Sequence, residues 1–83
     1  MRFDVALFEL RLFRSRSAAT AAIQAGAALL NGRVVKPSHD VNPADRVTLA
    51  AVSSRRTLEI LGLPRAGLTR EAAHALLREV TTE

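Results

Sequence analysis

The sequence has no cysteine, no tryptophan and no tyrosine, and its only aromatic side chains are Phe3, Phe8 and Phe13. Without cysteine it forms no disulfide and no thiolate-ligated zinc site, a usage compatible with a reducing cytosol. A platform that stacks splayed bases needs exposed rings spread over a sheet. Three phenylalanines confined to the first segment therefore disfavour an RRM or OB-type single-strand binder. No G-x-x-G loop is present, which argues against a KH domain. Long apolar runs are missing too. Ala18 to Leu30 is shorter than the about 20 apolar residues a bilayer requires, and Thr20, Gln24 and Gly26 break it. Asp4, Glu9 and Arg11 interrupt what would have to be the apolar region of a signal peptide. A soluble, cytoplasmic protein without membrane contact is expected.

Catalytic constellations are equally scarce. His39 and His74 lie far apart, with no carboxylate pair and no Gly-rich phosphate loop beside them. Ser15, Ser17, Ser53 and Ser54 lack a matching base at a recognisable spacing. Lys36, next to Pro37, reads as a surface charge. We expect no enzyme, no catalytic residue, no metal site and no cofactor.

What the chain does contain is an ordinary globular balance with a basic bias. Its 83 residues are 48% hydrophobic and 24% charged, enough for one domain with a modest core. The net charge is +4 and the isoelectric point about 11.4, which attracts polyanions. Every basic residue except Lys36 is arginine, whose planar fork grips phosphate through two hydrogen bonds. A GC-rich genome accounts for the Arg/Lys ratio equally well, but not for the net charge. Up to Arg56 nine basic residues face four acidic ones, a balance of +5; after it three face four, a balance of −1. A polyanion-binding surface belongs to the first two-thirds.

Periodicity orders the elements. Phe3, Leu7 and Leu10, with Val5, Phe8 and Leu12, predict a first helix ending around Leu12–Phe13, with Asp4 as N-cap or first-turn carboxylate. Ser17 is the expected cap of a second helix running to Ala25, with Gly26 left-handed just beyond it. Its alanines keep it slim, and Arg16, Thr20 and Gln24 form one polar stripe that starts where free backbone N–H groups can meet an anion. Asn31-Gly32 predicts a type I′ hairpin pairing Leu30 with Arg33 and Leu29 with Val34. A strand follows from Arg46 to Ala51. Arg56–Leu61 reads as another, with a short helix as the alternative. Thr69 caps a last helix to Val80, with Ala72, Ala73, Leu76, Leu77 and Val80 facing inward.

Taken in order, Arg2-Phe3-Asp4, Phe13-Arg14-Ser15-Arg16-Ser17-Ala18, Ile23-Gln24-Ala25-Gly26, Leu30-Asn31-Gly32 and Val35-Lys36-Pro37-Ser38 resemble the successive signatures of the S-four RNA-binding domain, named after small-subunit ribosomal protein four. The resemblance covers about residues 2–50. It implies two packed helices and an adjoining curved sheet that present one basic surface to structured RNA. It also implies contacts at Arg2, Arg14, Ser15, Arg16, Asn31, Arg33 and Lys36. The residues themselves support part of this. Arg14 and Arg16 flank the helix start, Ser15 and Ser17 offer short donors to phosphate oxygens, and Thr20 continues the stripe. For Ser17 and Asn31 the plain alternatives, a cap and a turn residue, stand beside the RNA role. Many members carry an attached enzyme, for which this stretch has no residues left. Among free-standing copies it is most similar to the heat-shock-protein-fifteen group, which acts on large ribosomal subunits blocked by peptidyl-tRNA. Arg56–Leu63 and the Glu71–Glu79 segment fit that group's pattern. Two departures stand out: an acidic tail, Glu79 to Glu83, where some members carry a basic extension, and Ala44 before Asp45, where glycine is more usual.

The expected fold is α/β of the α+β kind: two packed N-terminal helices against a small, mostly antiparallel curved sheet with an Asn-Gly hairpin, plus a C-terminal helix. Residues 1–52 would be the RNA-binding domain, and 53–83 a strand and helix packed on the same body. The expected function is non-enzymatic binding of structured RNA, ribosomal RNA or tRNA, on the large ribosomal subunit by a monomer. Two alternatives differ in class. One is a protein-interaction adaptor using the apolar face of the last helix. The other is a winged helix-turn-helix DNA binder whose second helix has only Thr20 and Gln24 as readers.

Overall fold

The computed structural model describes residues 1–80; Glu83 and the end of the acidic tail lie outside them. Helices α1 (Phe3–Glu9) and α2 (Arg16–Gln24) precede β1 (Ala28–Leu30), β2 (Arg46–Ala50) and β3 (Arg55–Ile60), and α3 (Arg70–His74) leads into β4 (Leu77–Val80). The four strands form one antiparallel sheet in the order β1-β2-β3-β4. This is the expected α+β architecture. Phe3, Leu7 and Leu10 of the first segment, Ile23 of α2, and Val41, Val47 and Ile60 are fully buried together. Apolar side chains at helical spacing and inward strand positions meet in one core, each contributing about 1.5–3 kcal/mol of burial. No helix among the described residues is long and apolar enough to cross a membrane.

The two helices end in the same way but on different residues. Each closes with a Schellman motif, in which the second residue past the helix bonds back across the last turn. In α2 the left-handed position is Gly26 (φ 75°), with Gly26 N–H to the Ile23 carbonyl and Ala27 N–H to the Ala22 carbonyl. In α1 it is Arg11 (φ 61°), with Arg11 N–H to Phe8 and Leu12 N–H to Leu7. A helix through Leu12–Phe13 is therefore not formed. The side chain at Arg11 disfavours that conformation by about 1–2 kcal/mol, and its guanidinium is held there by donating twice to the Leu68 carbonyl, at 3.0 and 2.7 Å.

One of the starts differs from expectation as well. Ser15, not Ser17, caps α2, accepting from Ala18 N–H at 3.0 Å. Both serines suit the chemistry, and the phase that buries Ala19 and Ile23 selects the earlier one. Asp4 takes the second of its two expected places, in the first turn of α1, and the N-cap residue Arg2 supplies no side-chain bond. A loop and the Asp4 carboxylate satisfy this start between them. Phe3 N–H donates to the His39 carbonyl (2.8 Å), Asp4 N–H to the Pro37 carbonyl (3.1 Å), and Val5 N–H to Asp4 Oδ1 (2.8 Å). Three N–H groups that a helix start leaves orphaned are thus satisfied.

That use of the loop explains the hairpin. Asn31 (φ 51°) and Gly32 (φ 79°) form the turn, and Leu30 and Arg33 exchange both backbone bonds. The expected Leu29–Val34 pair is absent, because the chain leaves to pack Val35 on the core and to cap α1; Leu29 pairs with Thr48 of β2. Arg55–Ile60 is a strand, which settles the strand-or-helix alternative there. At the C-terminal end Thr69 caps α3 as expected, accepting from Ala72 N–H. The helix then stops at His74 instead of Val80, and Leu77–Val80 becomes β4. Without it β3 would be an unpaired edge. Of the five residues expected inside, Ala73 is buried, Leu76, Leu77 and Val80 are partly buried, and Ala72 is exposed.

Candidate nucleic-acid interface

The start of α2 gathers the densest group of expected contact residues. Arg14, Arg16 and Ser17 are exposed, and Ser15 is half-buried because its hydroxyl caps the helix. With Ala18 N–H taken by Ser15, the N–H groups of Arg16 and Ser17 have no acceptor among the described residues. They lie at the positive end of the helix dipole, next in sequence to the exposed Arg14 and Arg16.

One turn further, Thr20 is not a free reader. It is half-buried and donates its hydroxyl to Asp4 Oδ2 at 3.1 Å. Asp4 is buried at the junction of the helices and also receives Arg2 Nε at 3.0 Å and Nη2 at 2.9 Å. Burial pushes the Asp4 carboxyl up, but the bonds from Arg2, Thr20 and Val5 N–H outweigh it and hold it below the ordinary carboxylate value. The carboxylate is thus charged, and it fixes the Arg2 fork beside α2. Two of the five guanidinium N–H donors are used, which leaves three for a ligand. Asp4 as an organising residue was missed from the sequence. The one available signal is the pair Arg2 and Asp4, which means little until helix packing brings Thr20 to them.

Lys36 is exposed and is attached to the same region, since its carbonyl accepts from His39 N–H and the next carbonyl, of Pro37, caps Asp4. Arg33 stands apart, beyond the hairpin turn. Its neighbour Val34 comes within 4.0 Å of where a Cβ on Gly26 would lie, so this end of the hairpin flanks the far end of α2. Asn31 is exposed but occupied. Its Oδ1 accepts from Arg46 N–H at 2.9 Å and its Nδ2 donates to Asp45 Oδ1 at 3.1 Å. The side chain builds the turn and joins β1 to β2. The structure therefore brings Arg2, Arg14, Ser15, Arg16, Ser17 and Thr20 together, sets Lys36 beside them, and leaves Asn31 and Arg33 at the other end of a helix about 13 Å long.

Among the described residues Arg14, Arg16, Arg33 and Lys36 have no carboxylate within 4 Å. Among the described residues no three His, Asp or Glu side chains converge. His39 is exposed, and His74 Nε2 meets the Arg11 carbonyl at 3.4 Å. What this arrangement does chemically is gather positive charge and free backbone donors around α2, with Arg2 held in place by Asp4.

The family model of the S4 domain matches residues 1–47, more than half of the chain. The fold is also similar to solved structures. The trimeric structure of Vibrio cholerae Heat Shock Protein 15 superposes with a TM-score of 0.89 at 28% identity, covering 96% of this chain and 81% of that one. The solution structure of the hypothetical protein HP1423 gives a TM-score of 0.82 at 30% identity over 100% of both chains. A comparison with curated proteins gives no match.

Proposed function

The chain belongs to the S4 domain family, whose domains are generally RNA-binding, and from that premise we propose that it is a non-enzymatic binder of structured RNA acting on the large ribosomal subunit. The observation that carries the reading is the unpaired charge around α2. Arg14, Arg16, Arg33 and Lys36 have no carboxylate partner among the described residues, and Arg2 is oriented beside them by buried Asp4. Guanidinium forks and the free N–H groups of Arg16 and Ser17 bind phosphate oxygens, and every neutralised phosphate releases condensed counterions. Base identity is read little, since α2 offers few long polar side chains. The RNA is recognised through phosphates and shape.

In this reading residues 1–52 form the RNA-binding unit and residues 53–83 an extension of the same body, and ribosomal RNA or tRNA is the ligand of a cytoplasmic monomer. Ser15 and Asn31 act by shaping the surface, while Arg2, Arg14, Arg16, Ser17, Arg33 and Lys36 make the contacts and Thr20 holds Asp4. Sedimentation of cell lysate through a gradient tests the ribosomal part. We expect the protein to travel with free large subunits and to return to the top after ribonuclease treatment. A protein that stays at the top with no nucleic acid attached would overturn the reading.

A further inference from the structure

We infer that Arg70, together with Arg11 and Arg14, forms a phosphate-binding notch through which the C-terminal part of the chain takes part in RNA binding. This rests on the RNA reading above. Arg70 lies outside residues 1–47, so the notch is an addition to the family's domain. Arg11, Leu12, Phe13, Arg14 and Arg70 line an open cavity of about 220 Å³ where the start of α3 meets the connection between the two first helices. No acidic side chain lines it, and none of the three arginines has a carboxylate within 4 Å among the described residues.

Three guanidinium groups around one small space repel each other unless an anion sits between them. One of them is already fixed. Arg11 donates Nε and Nη2 to the Leu68 carbonyl, and its ring contact with Phe8 lies 5.9 Å from the centroid. Its remaining N–H groups face a ligand without further ordering, which lowers the entropy cost of binding. The left-handed backbone at Arg11, unfavourable for a side chain, is what sends this residue across to the Leu68 loop. Arg14 is common to the notch and to the start of α2, so the two sites form one continuous basic track. The half-buried Phe13 gives the cavity an apolar wall, against which the ribose of the same nucleotide can pack. A phosphodiester of an RNA backbone fits this chemistry.

The test is binding of unfractionated tRNA by the full chain and by its Arg70→Gln and Arg65→Gln variants, measured across salt. Arg70 and Arg65 are both exposed and form no ion pair among the described residues, so both changes leave the fold intact and remove the same charge. We expect Arg70→Gln to weaken binding about three- to tenfold and to lower the salt slope, by at most about 0.7–0.9, the value for one whole phosphate contact, because Arg11 and Arg14 still face the same phosphate. Arg65→Gln, outside the notch, leaves the slope unchanged. Combining Arg70→Gln with Arg14→Gln should cost less than the product of the two single losses, because both groups hold one phosphate. Equal losses for Arg65→Gln and Arg70→Gln, or an unchanged slope for Arg70→Gln, would overturn the notch while the RNA reading stands. If the unmodified protein shows no salt-dependent binding, both fall.

Discussion

Arginine occurs on both sides of the molecule, but its company differs. Along α2, Arg14 and Arg16 face solvent without an acid partner, and so do Arg33 and Lys36 near the hairpin. Across β3 and β4, Arg56 meets Glu79 at 3.0 Å and Arg78 meets Glu59, each pair linking neighbouring strands. Hydrogen bonds from these arginines hold the Glu79 and Glu59 carboxyls below their ordinary values. The contrast teaches that arginine content does not define a binding surface. A guanidinium locked to a carboxylate carries no net field outward, whereas an unpaired one attracts phosphate and responds to salt. Arg2 lies between the two cases, paired with Asp4 yet half-exposed and aimed beside α2.

The largest effect on that contrast is expected at Asp4. Asp4→Ala removes the acceptor of Arg2, Thr20 and Val5 N–H from a buried site. Chemical denaturation should show a loss of about 1–3 kcal/mol, and RNA affinity should fall because Arg2 is no longer oriented. The same group sets an acid limb. Its folded value lies below its unfolded one, so its contribution is full above the ordinary carboxylate range, near pH 4, and is lost as pH falls through the folded value. Asp4→Asn should flatten the decline of stability below pH 4, measured by thermal melts across pH. Glu59 and Glu79 are shifted in the same direction and contribute with the same sign.

A smaller effect is expected at Ala44, which has φ 78° in the turn before β2. The left-handed conformation disfavours alanine, so Ala44→Gly should stabilise the fold by about 0.5–1 kcal/mol, the steric relief minus the extra entropy of glycine. Binding should not change. The smallest effect is expected from Glu59→Gln with Glu79→Gln. Freeing Arg78 and Arg56 leaves them on β4 and β3, outside the group at the start of α2, so tRNA affinity at moderate salt should rise only by the nonspecific pull of a more positive protein. A large gain would erase the distinction between the two regions.

Much of the fold was legible because its signals are local. Asn31-Gly32, Gly26 and Thr69 each announce a backbone conformation or a cap through their own chemistry, and the structure places them so. Apart from the α2 cap, where Ser15 takes the place expected of Ser17, the failures are non-local. Leu76, Leu77 and Val80 suit a helix face as well as a strand, and what selects the strand is the open edge of β3 together with partners for Arg78 and Glu79. Residues 34–36 look like a hairpin arm until the start of α1 claims the following carbonyls of Pro37 and His39. Arg11 gave no hint of a helix end, since its left-handed backbone is held from Leu68, far along the chain. Within the candidate site the charges could be read from composition and spacing. The link from Arg2 through Asp4 to Thr20 could not, because it exists only once the two helices pack.

The most direct measurement compares two double variants that lose the same charge from the two regions. Binding of unfractionated tRNA across salt would be followed for Arg14→Ala with Arg16→Ala and for Arg56→Ala with Arg78→Ala, with folding verified by circular dichroism. The account predicts that the first pair lowers the salt slope by about 1.4–1.8, two phosphate contacts, and that the second pair leaves it unchanged. Equal losses from both pairs, or an unchanged slope in the first, would contradict it.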